Sequence, residues 1–120
     1  MLRDEDKYLI KVEKEDDITI IEITGSVLVE YLREFERDLD RYVNEKKVIF
    51  NLEHTDFISS SGLGAILKFT KEVRANGGDV YIASPKQFVL KALKVTQISS
   101  IIQVFSTLES AIDSMVLKDL

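Results

Sequence analysis

Apolar and polar positions alternate in two short segments near the start of the chain: Tyr8, Ile10 and Val12, then Ile18, Ile20 and Ile23, with Ile21 as an extra apolar residue. A period of two is that of a strand with one face covered. Between the segments lies Glu13-Lys14-Glu15-Asp16-Asp17, a charged run costly to bury, so the pattern predicts an antiparallel hairpin with an exposed turn. Gly25 is expected to break the second strand, and Leu28, Leu32, Phe35, Leu39, Tyr42 and Val43 then recur at the spacing of an amphipathic helix. The run Val48-Ile49-Phe50-Asn51-Leu52 has strand length and no alternation, which suits a strand buried on both faces.

After a short loop, Leu63, Ile66, Leu67, Thr70 and Val73 mark the inner face of a second helix, with Asn76-Gly77-Gly78 as its stop. Val80-Tyr81-Ile82-Ala83 reads as another central strand. Pro85, the only proline, falls where a third helix would begin, a position that needs no backbone donor; that helix is expected to bury Phe88 or Val89, Ala92 and Leu93. A strand over Ile101-Ile102-Gln103-Val104-Phe105 and a last helix facing inward with Leu108, Ala111, Ile112 and Met115 complete the pattern. Two strands followed by helix and strand in alternation predict an α/β fold, one domain over residues 1–120. The sheet would be mixed, about five strands with an antiparallel leading strand and a parallel remainder, and about four helices would pack against it. In such sheets function gathers where strand C-termini pass into helix N-termini, which here is the loop after Leu52.

Composition narrows the chemistry. The chain of 120 residues is 45% hydrophobic and 31% charged, enough apolar material to offset the ordering of one core. No stretch approaches the roughly 20 apolar residues of a membrane span, and Met1 to Lys7 lack the apolar core of a signal peptide, so a cytosolic protein is expected. Cysteine is absent and His54 is the only histidine, which excludes disulfides, thiolate metal sites and multi-histidine metal sites. A net charge of −5 argues against a nucleic-acid surface and points to a protein partner. Abundant Lys, Glu and Ile match thermophile composition.

Residues 51 to 64, Asn51-Leu52-Glu53-His54-Thr55-Asp56-Phe57-Ile58-Ser59-Ser60-Ser61-Gly62-Leu63-Gly64, join a buried strand to a helix and set three hydroxyls at the junction. Serine at a helix start accepts a hydrogen bond from a free amide, typically about 1 kcal/mol, with no further role required. Gly62 and Gly64 equally suit close packing of the helix on the sheet. Enzymatic readings fail on chemistry: there is no Gly-x-Ser-x-Gly elbow and no phosphate loop with its lysine, and a Ser-His pair would need His54 to reach a serine five or more residues on.

The same segment, with Ala65-Ile66-Leu67 after it, resembles the signature of bacterial anti-sigma factor antagonists of the STAS domain family. The resemblance extends to the two leading strands, Gly25, Gly77-Gly78 before a strand, Ala83-Ser84-Pro85 after it and a closing helix. It implies a STAS-type fold and a module without catalysis or cofactor, which binds an anti-sigma factor, often itself a serine protein kinase, and frees a sigma factor to direct transcription. The kinase, which supplies the nucleotide, phosphorylates a serine of the family motif Asp-Ser-Ser-Gly-Leu-Gly, and a serine phosphatase reverses this. Carried over, Ser60 is the phosphoacceptor, with Ser59 and Ser61 as alternatives, and Ser59, Ser60, Ser61, Gly62, Leu63, Gly64 and Gly25 form the partner contact. A monomer or weak dimer is expected. The chain departs from the motif at Ser59, where the family has Asp, and at Gly25-Ser26-Val27-Leu28, which lacks the Asp of the family's Gly-x-Leu-Asp turn. STAS domains elsewhere sense ligands or nucleotides or act as scaffolds of signalling complexes, which is the alternative role.

Overall fold

A computed structural model describes residues 7–120, so the expectation for the stretch before Lys7 lies outside the described residues. The hairpin forms as the alternation predicts: β1 (Leu9–Glu15) pairs antiparallel with β2 (Ile18–Val27), from Leu9 opposite Thr24 to Glu15 opposite Ile18. Asp16 takes a left-handed φ of 54° at the turn, a conformation that Asp tolerates. The parallel part follows: β3 (Lys47–Asn51) lies between β2 and β5 (Asp79–Ala83), and β6 (Val104–Phe105) pairs with β5.

Side chains alternate across this sheet and separate two apolar layers. Ile21, Ile23, Val48, Phe50, Val80 and Ile82 meet the inner faces of α1 (Leu32–Asp40), α2 (Ser60–Ala75) and α3 (Gln87–Val95). Ile18, Ile20, Ile49 and Tyr81 turn the other way, onto Ala111 and Met115 of α4 (Leu108–Leu117). Both faces of the central strands are therefore covered, which is why β3 and β5 show no alternation in sequence. No helix among the described residues is long and apolar enough to cross a membrane.

Several elements differ from the sequence expectation. β2 does not break at Gly25; it runs on to Val27, and the residue pairing shifts between Gly25 and Ser26. Gly25 has a φ of +90°, so it works as a bulge that ends the pairing with β1 and opens a new one. That pairing is with β4 (Thr55–Ile58), a sixth, short strand parallel to β2 in the stretch read from sequence as loop. The first helix is shorter than its apolar period: Val29–Tyr31 form a 3-10 turn, with Val29 exposed, and α1 ends at Asp40. Tyr42 and Val43 still pack on the core, from the turn beyond it.

The third helix starts at Gln87, with Lys86 at the cap position and no side-chain capping bond, so Pro85 precedes the cap instead of opening the helix. Its buried residues are Val89 and Leu93, whereas Phe88 faces outward. The strand expected over Ile101 to Phe105 contracts to two residues. Gln97 adopts a left-handed φ of 63°, and the Ile101 and Ile102 N–H groups both donate to the Ile98 carbonyl, so these amides are used in a local turn instead of a ladder. The stop of α2 is as the glycines foretell: Gly77 has a φ of +88°, its N–H donates to the Arg74 carbonyl, and the Gly78 N–H donates to the Val73 carbonyl, a complete Schellman closure.

Candidate functional site at the start of the second helix

The loop between β3 and α2 is held by short-range polar contacts that follow from its sequence. Asn51, buried at the end of β3, accepts the Glu53 N–H on Oδ1 (3.2 Å), a side-chain turn typical of Asn. The buried Thr55 hydroxyl donates to the Ile23 carbonyl (2.6 Å) and ties β4 to β2. The Gly25 N–H donates to the His54 carbonyl, and the Ser59 N–H to the Val27 carbonyl, both at 2.9 Å. The bulge in β2 and the start of α2 are thus clamped to one another from both ends of β4.

The three serines differ in what their hydroxyls do. Ser59 is the N-cap: its φ and ψ are extended, and its Oγ accepts the Gly62 N–H at 3.1 Å. The Ser61 Oγ lies 3.2 Å from the Ser59 Oγ, within hydrogen-bond distance. Ser60 occupies the first helical position, is exposed, and its hydroxyl has no hydrogen-bond partner among the described residues. Gly62 is buried, and a Cβ added there would lie 2.8 Å from Ile58 Cγ2 and 3.1 Å from Val27 Cγ1; Gly64 is exposed, with nothing within 4 Å of the same construction. Leu63 is buried in the core, and Gly25 is half-buried. Of the residues expected at a partner contact, Ser60 and Gly64 therefore present surface, Ser59, Ser61 and Gly25 do so in part, and Gly62 and Leu63 pack inward.

Three residues that the sequence did not place at the partner contact border the site. Phe57 of β4, Phe88 and Val95 of α3 are 37%, 64% and 74% exposed, and with Ser60 they line a groove of about 220 Å³ floored by Ile58, Leu63 and Val89. The Phe57 and Phe88 ring centres are 6.3 Å apart. Below them Lys86 donates to Asp56 Oδ1 at 2.6 Å. The periodicity of α3 left Phe88 and Val89 as alternatives for the core, and only the helix rotation observed here sets Phe88 outside it.

His54 is exposed and its imidazole Nε2 lies 3.9 Å from Glu53 Oε2; no hydrogen bond joins it to a serine among the described residues. The described residues also contain no group of three or more His, Cys, Asp or Glu placed to hold a metal ion. The arrangement offers an exposed hydroxyl at a helix start beside an apolar groove.

The chain belongs to the STAS domain family, whose model matches residues 10–111. It is similar to an anti-sigma factor antagonist, BtrV, of Bordetella bronchiseptica, with 27% identity over 104 residues covering 85% of this chain and 90% of that one. Among solved structures it resembles an anti-sigma factor antagonist of Thermotoga maritima at a TM-score of 0.82, with 23% identity over 88% of this chain and 93% of the other. It also resembles the anti-sigma factor antagonist SpoIIAA in its unphosphorylated form, at a TM-score of 0.75 with 20% identity over 93% and 98% of the two chains. SpoIIAA has been solved in a phosphorylated form as well, which this chain matches at a TM-score of 0.67, with 20% identity over 88% and 98%.

Proposed function

We propose that this chain is a cytosolic anti-sigma factor antagonist that docks an anti-sigma factor through the start of α2 and is released when Ser60 is phosphorylated. The observation that carries the reading is the division of labour among the serines. Ser59 is spent on the cap and Ser61 lies against it, which leaves Ser60 as the hydroxyl open to another macromolecule. The names of BtrV and SpoIIAA, and the existence of SpoIIAA in two phosphorylation states, support the same role. No catalytic step is assigned to this chain; the kinase brings the nucleotide and a phosphatase restores the docking form.

The energetics favour a switch of contact over a switch of fold. A phosphate adds a charge of about −1.5 to −2, and a helix N-terminus favours an anion there by roughly 0.3 to 1 kcal/mol, so α2 tolerates it. Pressed against a partner surface built for a neutral hydroxyl, the same group costs about 3 kcal/mol of desolvation and repulsion, a loss of affinity on the order of a hundredfold. The ligand-sensing alternative is less well supported, because the Ser59 hydroxyl already takes one of the amides, that of Gly62, that a bound anion at this helix start would use.

Incubation with the anti-sigma kinase of the same host and ATP, followed by mass spectrometry, assigns the modified residue. The expected result is one phosphate on Ser60, abolished in Ser60→Ala. Modification confined to Ser59 or Ser61 would move the site, and none at all would remove the switch.

A further inference from the structure

The charge distribution around the groove is uneven. The segment from residue 80 to residue 108 contains Lys86, Lys91 and Lys94 and not one Asp or Glu, in a chain whose net charge is −5. This segment supplies α3 and the groove wall formed by Phe88, Val89 and Val95. Lys86 is paired with Asp56, but Lys91 and Lys94 form no ion pair among the described residues. Both are exposed, and each lies with Phe88 along the outer surface of the helix. Phe88 is thus shared between the apolar groove, whose own lining carries no charged residue, and the adjoining outer face of α3 with Lys91 and Lys94, part of the only acid-free, lysine-bearing stretch of this length in an acidic protein.

We propose that the face formed by α3 and the start of α2 docks an acidic amphipathic segment of the partner protein, with apolar side chains between Phe57, Phe88 and Val95 and carboxylates toward Lys91 and Lys94. Charge complementarity selects this occupant. A second copy of the chain would bring the same lysines face to face, and like charges disfavour that contact. The inference deepens the functional reading, because Ser60 lines the same groove. A phosphate there sets negative charge at the mouth of a site that takes negative charge, and repels the occupant without any change of fold. The groove explains how one added group governs a whole surface.

The test uses the 15N-labelled chain and a synthetic helical peptide of repeating Glu-Leu-Leu-Glu units, with its Lys-Leu-Leu-Lys analogue as control. The expected result is salt-sensitive binding of the acidic peptide alone, with amide shifts confined to Phe57, the first turn of α2 and Phe88 to Thr96. Lys91→Glu with Lys94→Glu, and separately Phe88→Ser, should each weaken binding by roughly tenfold or more while the circular dichroism melt stays unchanged. Equal binding of both peptides, shifts on another face, or variants that bind as tightly as wild type would overturn the proposal. So would binding to phosphatidylserine vesicles in place of the peptide, or self-association through this face at the concentrations used. Ser60→Asp separates the two ideas: peptide binding retained in that variant contradicts phosphorylation control while upholding the groove, whereas no binding by wild type contradicts the groove and leaves phosphorylation of Ser60 to be judged by mass spectrometry.

Discussion

Replacing Gly62 and Gly64 separately by alanine adds one methyl group at two points on the same turn of α2, and the surroundings give the two additions opposite signs. At Gly62 the new carbon would meet Ile58 Cγ2 at 2.8 Å, closer than side chains in folded proteins approach, and Val27 Cγ1 at 3.1 Å, tighter than most such contacts. Both neighbours are buried, so relief requires the helix to move off β2 and β4 or the branched side chains to leave their rotamers. Overpacking of this kind costs about 1 to 3 kcal/mol. Alanine returns up to about 1 kcal/mol through helix propensity, leaving a net loss of up to about 2 kcal/mol. At Gly64 nothing lies within 4 Å, so only the propensity gain acts. With about 4 °C per kcal/mol for a domain of this size, Gly62→Ala should melt up to about 8 °C lower and Gly64→Ala about 2 to 4 °C higher than wild type. Thermal unfolding followed by circular dichroism reads both. A rise for Gly62→Ala would refute the packing argument, and a fall for Gly64→Ala would refute the claim that this position is open.

Two further outcomes probe the scaffold. The Thr19 hydroxyl is buried in β2 without a hydrogen-bond partner among the described residues, so Thr19→Val, which keeps the shape and removes the stranded group, should stabilise the protein by about 1 kcal/mol, read by urea titration; a loss would show that the hydroxyl is satisfied. Burial pushes the Asp79 carboxyl up, but hydrogen bonds from Lys118, Arg74 (2.9 Å) and the Val80 N–H (2.8 Å) outweigh it and hold the group below the ordinary carboxylate range. A depressed folded-state value means stability present above the unfolded value and lost as pH falls through the folded one. Asp79→Asn should therefore cost about 1 kcal/mol at neutral pH, discounted because its partners are partly exposed, and the gap to wild type should close as pH falls through and below the ordinary carboxylate range. A gap that persists in acid would assign the loss to packing instead.

The central strands, α2 with its glycine stop and the two-layered covering of the sheet were legible in sequence because each rests on a local rule: period, run length or a glycine in a left-handed conformation. The elements that were not legible depend on partners distant in the chain. β4 has only four residues and gains its identity from pairing with the far end of β2, which in turn requires the bulge at Gly25. The contraction of β6 follows from one left-handed residue, Gln97, that no pattern of hydrophobicity marks. At the candidate site, the cluster of three serines and the family motif drew the reading to the start of α2. Their separate roles depend on which hydroxyl faces the Gly62 amide, a matter of backbone geometry. The groove remained hidden because Phe88 and Val89 are equally apolar, and only the rotation of α3 decides which of them meets solvent.

The account turns on an uncharged Ser60 hydroxyl that permits docking and a charged one that forbids it, with the fold intact in both states. Calorimetric titration of the purified anti-sigma factor of the host with unmodified and Ser60-phosphorylated protein, alongside the melting temperature of each, tests this most directly. The account predicts affinity lower on the order of a hundredfold for the phosphorylated form, with melting temperatures within a few degrees. Equal affinities, or a lower affinity accompanied by a collapse in melting temperature, would contradict it.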